Sequence, residues 1–321
     1  MQLIQNLYNV LTQSNKLYKV IQIIPNDDTN QLILHEEEDV LDIGMSKKTY
    51  LAIFKESHTY FHNSYDKSTS NSHDDLQSLY LMTLGFLITT NEHSTIIKLH
   101  EKVVNKLNNQ EQDLEIISSF LTCKSKRINK SSSLWYYLKK LTISQVYVKK
   151  DYKLLNKLVL RALKSCKTHF ANYYANNYLR WIIMVNQIMG MSNEFLIQEL
   201  RRVCHANLSD SSLWGTFCIL MKSHNENGIE LIVEEYNMMT GISLVTEPSS
   251  QSIYQCMIPN EFKWLINVQC KYLTPYRLLI QSCESNDILI SLRSKIQDSN
   301  LPEDLRQLIL NSINRKANSL M

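Results

Sequence analysis

Glycine and proline are scarce in this chain, six and five in 321 residues. A turn-dense β-fold uses many more of both, so helices joined by short polar loops are the simpler reading. No run of 18 or more uncharged apolar residues occurs, which argues against a membrane-spanning helix. The stretch from Met1 to Val20 alternates polar and apolar residues at helical spacing and has no signal-peptide core. The seven cysteines (Cys123, Cys166, Cys204, Cys218, Cys256, Cys270 and Cys283) stand singly, with no C-x-x-C pair. An odd, scattered set fits reduced thiols at apolar helix positions, and hence a cytoplasmic protein, better than a disulfide frame.

Catalytic signatures are missing as well. There is no glycine-rich nucleotide loop and no G-x-S-x-G. His58 and His62 lie four apart, a metal-ligand spacing, but no Glu follows His58 and no third ligand is evident. Acidic residues fail over one long stretch. Between Leu121 and Arg180 there are 14 Lys and Arg against Asp151 alone, which leaves this stretch at +13 and the rest near −10 for a net +3. Such an asymmetry calls for a partner or a counter-surface.

What is present is a repeat. Four polar turns precede aromatic-containing or apolar helices: His93-Ser94-Thr95-Ile96-Ile97, Ser131-Ser132-Ser133-Leu134-Trp135, Asn172-Tyr173-Tyr174-Ala175-Asn176 and Asp210-Ser211-Ser212-Leu213-Trp214. Their equivalent positions Ile97, Trp135, Asn176 and Trp214 are spaced 38, 41 and 38 residues apart. A near-constant period of this length marks stacked helical hairpins, so the expected fold is an all-α superhelix, a solenoid of such hairpins. Asp210, Ser132 and Asn172 are candidate N-caps.

The expected elements follow from this pattern. A first helix spans about Gln2–Val20 and breaks at Ile24-Pro25-Asn26-Asp27-Asp28, Gln31–His35 is extended, and Glu36–Asp39 is an acidic turn. A second helix spans about Ser46–Ser64 and ends in a polar loop, Lys67–Ser72. Helices at Asp74–Thr89, Gln110–Leu121, Lys149–Lys167 and Ser192–His205 lead into the four turns. Asn225–Asn260 reads as a helix followed by an inserted loop around Glu247-Pro248-Ser249-Ser250. Glu261–Leu273 with Pro275–Cys283 reads as a degenerate fifth hairpin, and Leu301–Leu320 as a capping helix. Three regions result: residues 1–72, the four repeats in 73–224, and 225–321.

Two groups of residues are candidate contact sites. Lys150, Lys153, Lys157, Arg161 and Lys164 follow three- and four-residue steps, opposite Leu155, Val159, Ala162, Leu163 and Cys166. This stripe is either a solvated face or a docking face for an acidic protein, phosphate groups or an anionic membrane. Nucleic acid fits poorly, because no RNA-binding motif accompanies the charge. The aromatic residues Trp135, Tyr137, Tyr178 and Trp214 are either core wedges between hairpins or the lining of a partner groove.

The repeat resembles that of protein prenyltransferase α-subunits, whose unit carries Asn-Tyr-x-Ala-Trp-x-x-Arg at the start of its second helix. Asn172, Tyr173 and Ala175 match this motif, while Asn176 stands for its Trp and Leu179 for its Arg. The second unit keeps Trp135 but has Leu138 at the Arg position, the fourth has Trp214 and Phe217, and the first has Ile97 and His100. Within that superfamily the chain is most similar to the type III geranylgeranyltransferase branch, through Leu208-Ser209-Asp210-Ser211-Ser212, Ile21-Gln22-Ile23-Ile24-Pro25 and Ser46–Tyr65.

The resemblance implies a crescent of hairpins around a separate Rab-type geranylgeranyltransferase β-subunit. The zinc ion and the isoprenoid pocket would lie on that partner, with no cofactor bound by this chain. It implies scaffolding and selection of a cysteine-bearing substrate such as a farnesylated SNARE, with Trp135, Asn172, Tyr173, Tyr178 and Trp214 facing partner or substrate. Farnesyltransferase α-subunits place a Lys before the Asn-Tyr pair, where this chain has Ala171; Arg180 and Lys139 are the candidate substitutes. The rival reading is a tetratricopeptide-like adaptor with no role in prenylation.

Overall fold

The computed structural model describes residues 1–25, 31–64, 72–223, 226–241, 243–244 and 254–320. The expected break at Asn26-Asp27-Asp28, most of the loop before Ser72 and the insertion around Glu247–Ser250 lie outside these residues. The chain is mostly helical and divides into two compact units, Met1–Tyr178 and Leu179–Met321.

The first unit opens with α1 (Gln2–Gln13), β1 (Tyr18–Ile24), β2 (Ile33–Glu36), β3 (Val40–Ser46) and α2 (Lys47–Ser64). The structure departs from expectation twice here. The first helix stops at Gln13 rather than Val20, and although the chain is helical overall, as expected, a small three-stranded sheet that the sequence did not announce follows in the order β1-β3-β2. β1 runs parallel to β3 from the pair Tyr18 and Val40 to the pair Ile24 and Ser46, and β2 pairs antiparallel with β3. The physical reason is β-branching. Val20, Ile21, Ile23 and Ile24 pack well on a pleated surface, and Leu41, Ile43 and Met45 alternate into the core of the next-paired strand. The acidic turn expected at Glu36–Asp39 falls on Glu37–Asp39, which close the β2–β3 hairpin, while Glu36 is the last residue of β2.

The remaining helices of this unit are α3 (His73–Thr89), α4 (Ser94–Leu107), α5 (Gln110–Phe120), the short α6 (Lys126–Asn129), α7 (Ser132–Thr142) and α8 (Tyr152–Thr168). A π-helical turn, Ile143–Tyr147, extends α7. The helix α9 (Tyr173–Ile188) carries the chain into the second unit, which contains α10 (Glu194–Ala206), α11 (Ser211–Ile219), α12 (Glu226–Thr240), α13 (Ile258–Asn267), α14 (Leu273–Gln281), α15 (Asn286–Gln297) and α16 (Glu303–Asn318). The repeat helices thus fall within a few residues of their expected bounds. The fifth hairpin corresponds to α13 and α14 and the capping helix to α16, whereas α15 has no counterpart among the sequence expectations.

The core of the first unit holds an acid. Asp113 on α5 is fully buried; its Oδ1 accepts from the Tyr80 hydroxyl at 3.0 Å and lies 2.9 Å from His100 Nε2, and its Oδ2 accepts from the Tyr137 hydroxyl at 2.6 Å. Thr83 Oγ1 lies 2.7 Å from His100 Nδ1, and the His100 ring stacks on Tyr80. Burial, reinforced by the neighbouring carboxylate, pushes the phenols of Tyr80 and Tyr137 well above their ordinary range, so both remain donors. A buried carboxylate tolerates its loss of water only when its lone pairs are met in this way. His100 is therefore a core residue.

Helices α2 and α3 meet at Gly85. A Cβ there would come 2.1 Å from Ser57 Oγ and 3.3 Å from both Ser57 Cβ and Ile53 Cγ2. Gly85→Ala is expected to cost about 1–3 kcal/mol by overpacking, measured by thermal unfolding. Adding Ser57→Ala should recover part of the loss. An unchanged melting temperature for G85A would contradict this packing.

Candidate functional site

The four turns are built alike. His93, Ser131, Asn172 and Asp210 each precede a helix and accept, through a side-chain atom, the backbone N–H three residues on. The donors are Ile96 at 3.4 Å, Leu134 at 3.2 Å, Ala175 at 3.3 Å and Leu213 at 3.1 Å. These caps satisfy the orphan amides of α4, α7, α9 and α11. In the second turn the cap is Ser131, one residue before the expected Ser132. Four residues past each cap the side chain is buried: Ile97, Trp135, Asn176 and Trp214.

Adjacent turns of the first unit are tied by amide side chains. Asn129 Nδ2 donates to Leu121 O and to Ser165 Oγ, both at 2.7 Å, while its Oδ1 accepts from Asn172 Nδ2 at 2.6 Å. Asn91 Nδ2 donates to Arg127 O at 2.6 Å. Glu92 receives the hydroxyls of Ser131, Ser132 and Ser133 at 2.6–2.9 Å. Burial would raise the Glu92 carboxyl, but these hydroxyls outweigh it and hold it below its ordinary range.

Most of the aromatic candidates face inward. Trp135 donates from Nε1 to Asn129 O at 2.8 Å and packs 5.3 Å, centroid to centroid, from Tyr178. Tyr178 is buried with its hydroxyl 2.8 Å from Thr142 Oγ1; Tyr137, Asn172 and Trp214 are buried too. Of the residues expected to face a partner by resemblance, Tyr173 is the exposed one, at 58%. Two neighbours missed by sequence reasoning join it, Phe170 at 64% and Tyr174 at 36%. Their turn passes through Ala171 at φ +50°, a conformation uncommon for a non-glycine residue and not signalled by the residue type. Lys130 Nζ bridges to this turn, donating to Phe170 O at 3.1 Å. Exposed Lys126 and Arg127 sit on α6 just before Asn129. The His169 imidazole is lowered from its ordinary pKa, by burial first and then by the charges of Lys130 and Lys126.

The basic stripe of α8 does not act as one face. Lys150 lies before the helix at φ +57°, and Asp151 caps α8 by accepting from Leu154 N–H at 2.9 Å. Lys150 and Lys153 are exposed, and Lys164 Nζ lies 5.5 Å from the Tyr18 ring centroid. Arg161, only 2% exposed, forks onto Glu115 of α5, with Nη2 2.6 Å from Oε1 and Nη1 2.9 Å from Oε2. Its Nη1 also donates to Ser118 Oγ and its Nε to Leu17 O. Lys157 reaches the same carboxylate at 2.7 Å, and Lys19 of β1 is the third cation on it. Burial would raise the Glu115 carboxyl, but the Arg161, Lys157 and Lys19 contacts bring it down to about 2. Lys140 pairs with Glu101 and Lys149 lies 3.6 Å from Glu111. The counter-surface for much of the basic stretch is thus internal, supplied by α4 and α5.

The substitutes for a cation at position 171 are also occupied. Arg180 donates from Nε to Thr216 Oγ1 at 3.1 Å and from Nη2 to Ser212 O at 3.3 Å, and Lys139 is buried. Among the described residues no group of three or more His, Cys, Asp or Glu could hold a metal ion, and no helix is long and apolar enough to cross a membrane. Cys256 is exposed and the other six thiols are buried, with burial pushing Cys123, Cys218 and Cys283 up to about 12.

Residues 1–122 match the family model described as the ECM9 N-terminal domain, and residues 134–242 match the ECM9 middle domain. The chain resembles ECM9 proteins. Over 290 residues it is 24% identical to Protein ECM9 of Saccharomyces cerevisiae (strain ATCC 204508 / S288c), covering 81% of this chain and 74% of that protein. The junction between the two ECM9 matches contains α6 and Asn129, the segment that ties the second turn to the third.

Acid titration tests the Glu115 cluster. A carboxyl held at about 2 in the folded state, against 4.5 when unperturbed, contributes stability that is fully present above 4.5 and lost as pH falls towards 2. That contribution is on the order of 3 kcal/mol. Glu115→Gln should lower stability at neutral pH and flatten its loss over this window, followed by chemical denaturation. An acid limb identical to that of the unaltered chain would contradict the assignment.

Proposed function

We propose that this chain is the α-like, non-zinc subunit of a heterodimeric protein geranylgeranyltransferase of the type III kind. It would scaffold a Rab-type β-subunit and help select a cysteine-bearing protein such as a farnesylated SNARE. The observation that supports this most is the repeated turn: a side-chain cap at His93, Ser131, Asn172 and Asp210, and a buried residue four positions on, at the 38-, 41- and 38-residue spacings of a hairpin array. On this reading the hairpins form a superhelix with the capped turns along one edge.

On this reading the zinc belongs to the partner chain, as the resemblance to prenyltransferase α-subunits implies. The reaction would be attack of a cysteine thiolate on the first carbon of geranylgeranyl diphosphate, forming the thioether and releasing diphosphate. This chain's contribution is positional. Phe170, Tyr173 and Tyr174 supply exposed aromatic area, with Lys130 bonded to their turn and Lys126 acting on neighbouring His169. Such surfaces favour a partner that is apolar at its centre and acidic at its rim. The ammonium of Lys130 sits against the carbonyls of the very turn where the resembling family carries its own Lys. A cytoplasmic location goes with this role.

The adaptor reading keeps one observation in its favour. Leu138, Leu179 and Phe217, like His100, are core residues where the prenyltransferase repeat has Arg. Co-expression with a Rab-type geranylgeranyltransferase β-subunit, followed by size-exclusion chromatography, separates the two. The proposal expects co-elution at micromolar concentration, weakened about tenfold or more by Phe170→Ala with Tyr173→Ala. Separate elution of the unaltered chains would leave the adaptor reading standing.

A further inference from the structure

Among the described residues, the strand β2 is an uncovered sheet edge. In the order β1-β3-β2 it bonds to β3 on one side and to no described strand on the other. The opposite edge is closed: Lys124 N–H donates to Ile21 O and Thr122 Oγ1 donates to Lys19 O, both at 2.8 Å, so the end of α5 and its following turn cover β1. Every second residue of β2 directs its N–H and C=O outward, a template for another strand.

The side chains of β2 are equally uncovered. Successive residues of a strand point to opposite faces, yet Ile33 is 49% and Leu34 is 48% exposed, and His35 and Glu36 are exposed too. Large apolar side chains are therefore open on both faces at this edge. The strand leads directly into Glu36, Glu37, Glu38 and Asp39, all exposed. Lys16 is the cation against this run: its Nζ donates to Glu37 O and Glu38 O and lies 3.7 Å from Glu36 Oε2. It fixes the turn's backbone and leaves an acidic excess at one end of an open edge.

We infer that β2 takes an extended partner segment by strand addition, a segment with apolar side chains at alternate positions and basic residues at the end that meets Glu36–Asp39. The backbone ladder supplies affinity, Ile33 and Leu34 select apolar side chains on the two faces, and the acidic turn fixes polarity. This site is independent of the geranylgeranyltransferase proposal, because no residue of the turn edge takes part in it.

A displayed library of random short peptides is panned against the full chain, and enriched peptides are synthesised and titrated. Enriched sequences should alternate apolar residues and carry Lys or Arg at one end, and their binding should slow amide hydrogen exchange in β2. Affinity should fall on the order of tenfold for the Ile33→Lys, Leu34→Lys variant and for the Glu36→Lys, Glu37→Lys, Glu38→Lys variant. The charge variant alters exposed side chains alone, so it remains informative if the apolar variant fails to fold by circular dichroism. Peptides that bind both variants unchanged, or that leave exchange in β2 unaltered, would overturn the inference. Self-association through β2 that excludes peptide would overturn it as well, by making a second copy the occupant.

Discussion

One carboxylate organises the first unit. Glu115 receives a forked guanidinium from Arg161 and ammonium groups from Lys157 and Lys19, so a single acid on α5 binds β1 and α8 to the same place. Three cations on one carboxylate would repel one another if the carboxyl lost its charge. The remaining donors on Arg161 are met by Ser118 and by the carbonyl of Leu17, and Lys19 also donates to Leu11 O. Removing one partner from such a cluster leaves buried charge without compensation, which costs far more than the pair contributes net. The sheet, the acidic helix and the basic helix are therefore interdependent.

The repeat rests on a second constraint, the need to satisfy the first amides of each helix. Four different side chains, an imidazole, a hydroxyl, an amide and a carboxylate, do the same work at His93, Ser131, Asn172 and Asp210. Conserving the geometry while changing the residue type explains why the array can be read by spacing more easily than by motif. The buried position four residues on varies in the same manner, from Ile97 to Trp135 to Asn176 to Trp214. At Asn176 the side chain stays satisfied by donating to Asn172 O at 2.9 Å.

The repeat helices were legible in the sequence because caps and apolar periodicity agree there. Of the sheet only β2 was foreshadowed, by the extended reading of Gln31–His35; β1 was hidden because Leu17 and Val20 continue the apolar spacing of Leu3, Leu7, Val10 and Leu11 past the change of backbone after Gln13. The basic stripe of α8 misled for a different reason. Its steps of three and four residues do describe one helical side, but its counter-acid Glu115 lies 46 residues before Arg161 and is invisible to a local charge count. Phe170 and Tyr174 were missed because the third turn runs through a left-handed Ala171, a conformation that alanine does not advertise. Cationic character was correctly placed within 121–180, but Lys157 and Arg161 are bound to Glu115, whereas Lys126, Arg127, Lys150 and Lys153 are exposed.

These assignments divide the first unit by role. The Asp113 and Glu115 clusters hold helices and strands together, the capped turns present Tyr173 and its neighbours, and β2 stands open at the far edge of the sheet. The third capped turn, where Phe170, Tyr173 and Tyr174 are exposed, is the proposed face for a partner that carries the chemistry. That proposal is tested most directly by following transfer of a labelled geranylgeranyl group to a farnesylated SNARE by the Rab-type β-subunit, with and without this chain. Transfer is expected only when both chains are present, and is expected to be lost when Phe170 and Tyr173 are replaced by Ala. Transfer that is equally absent with the chain added, although the two proteins co-elute, would contradict the proposal.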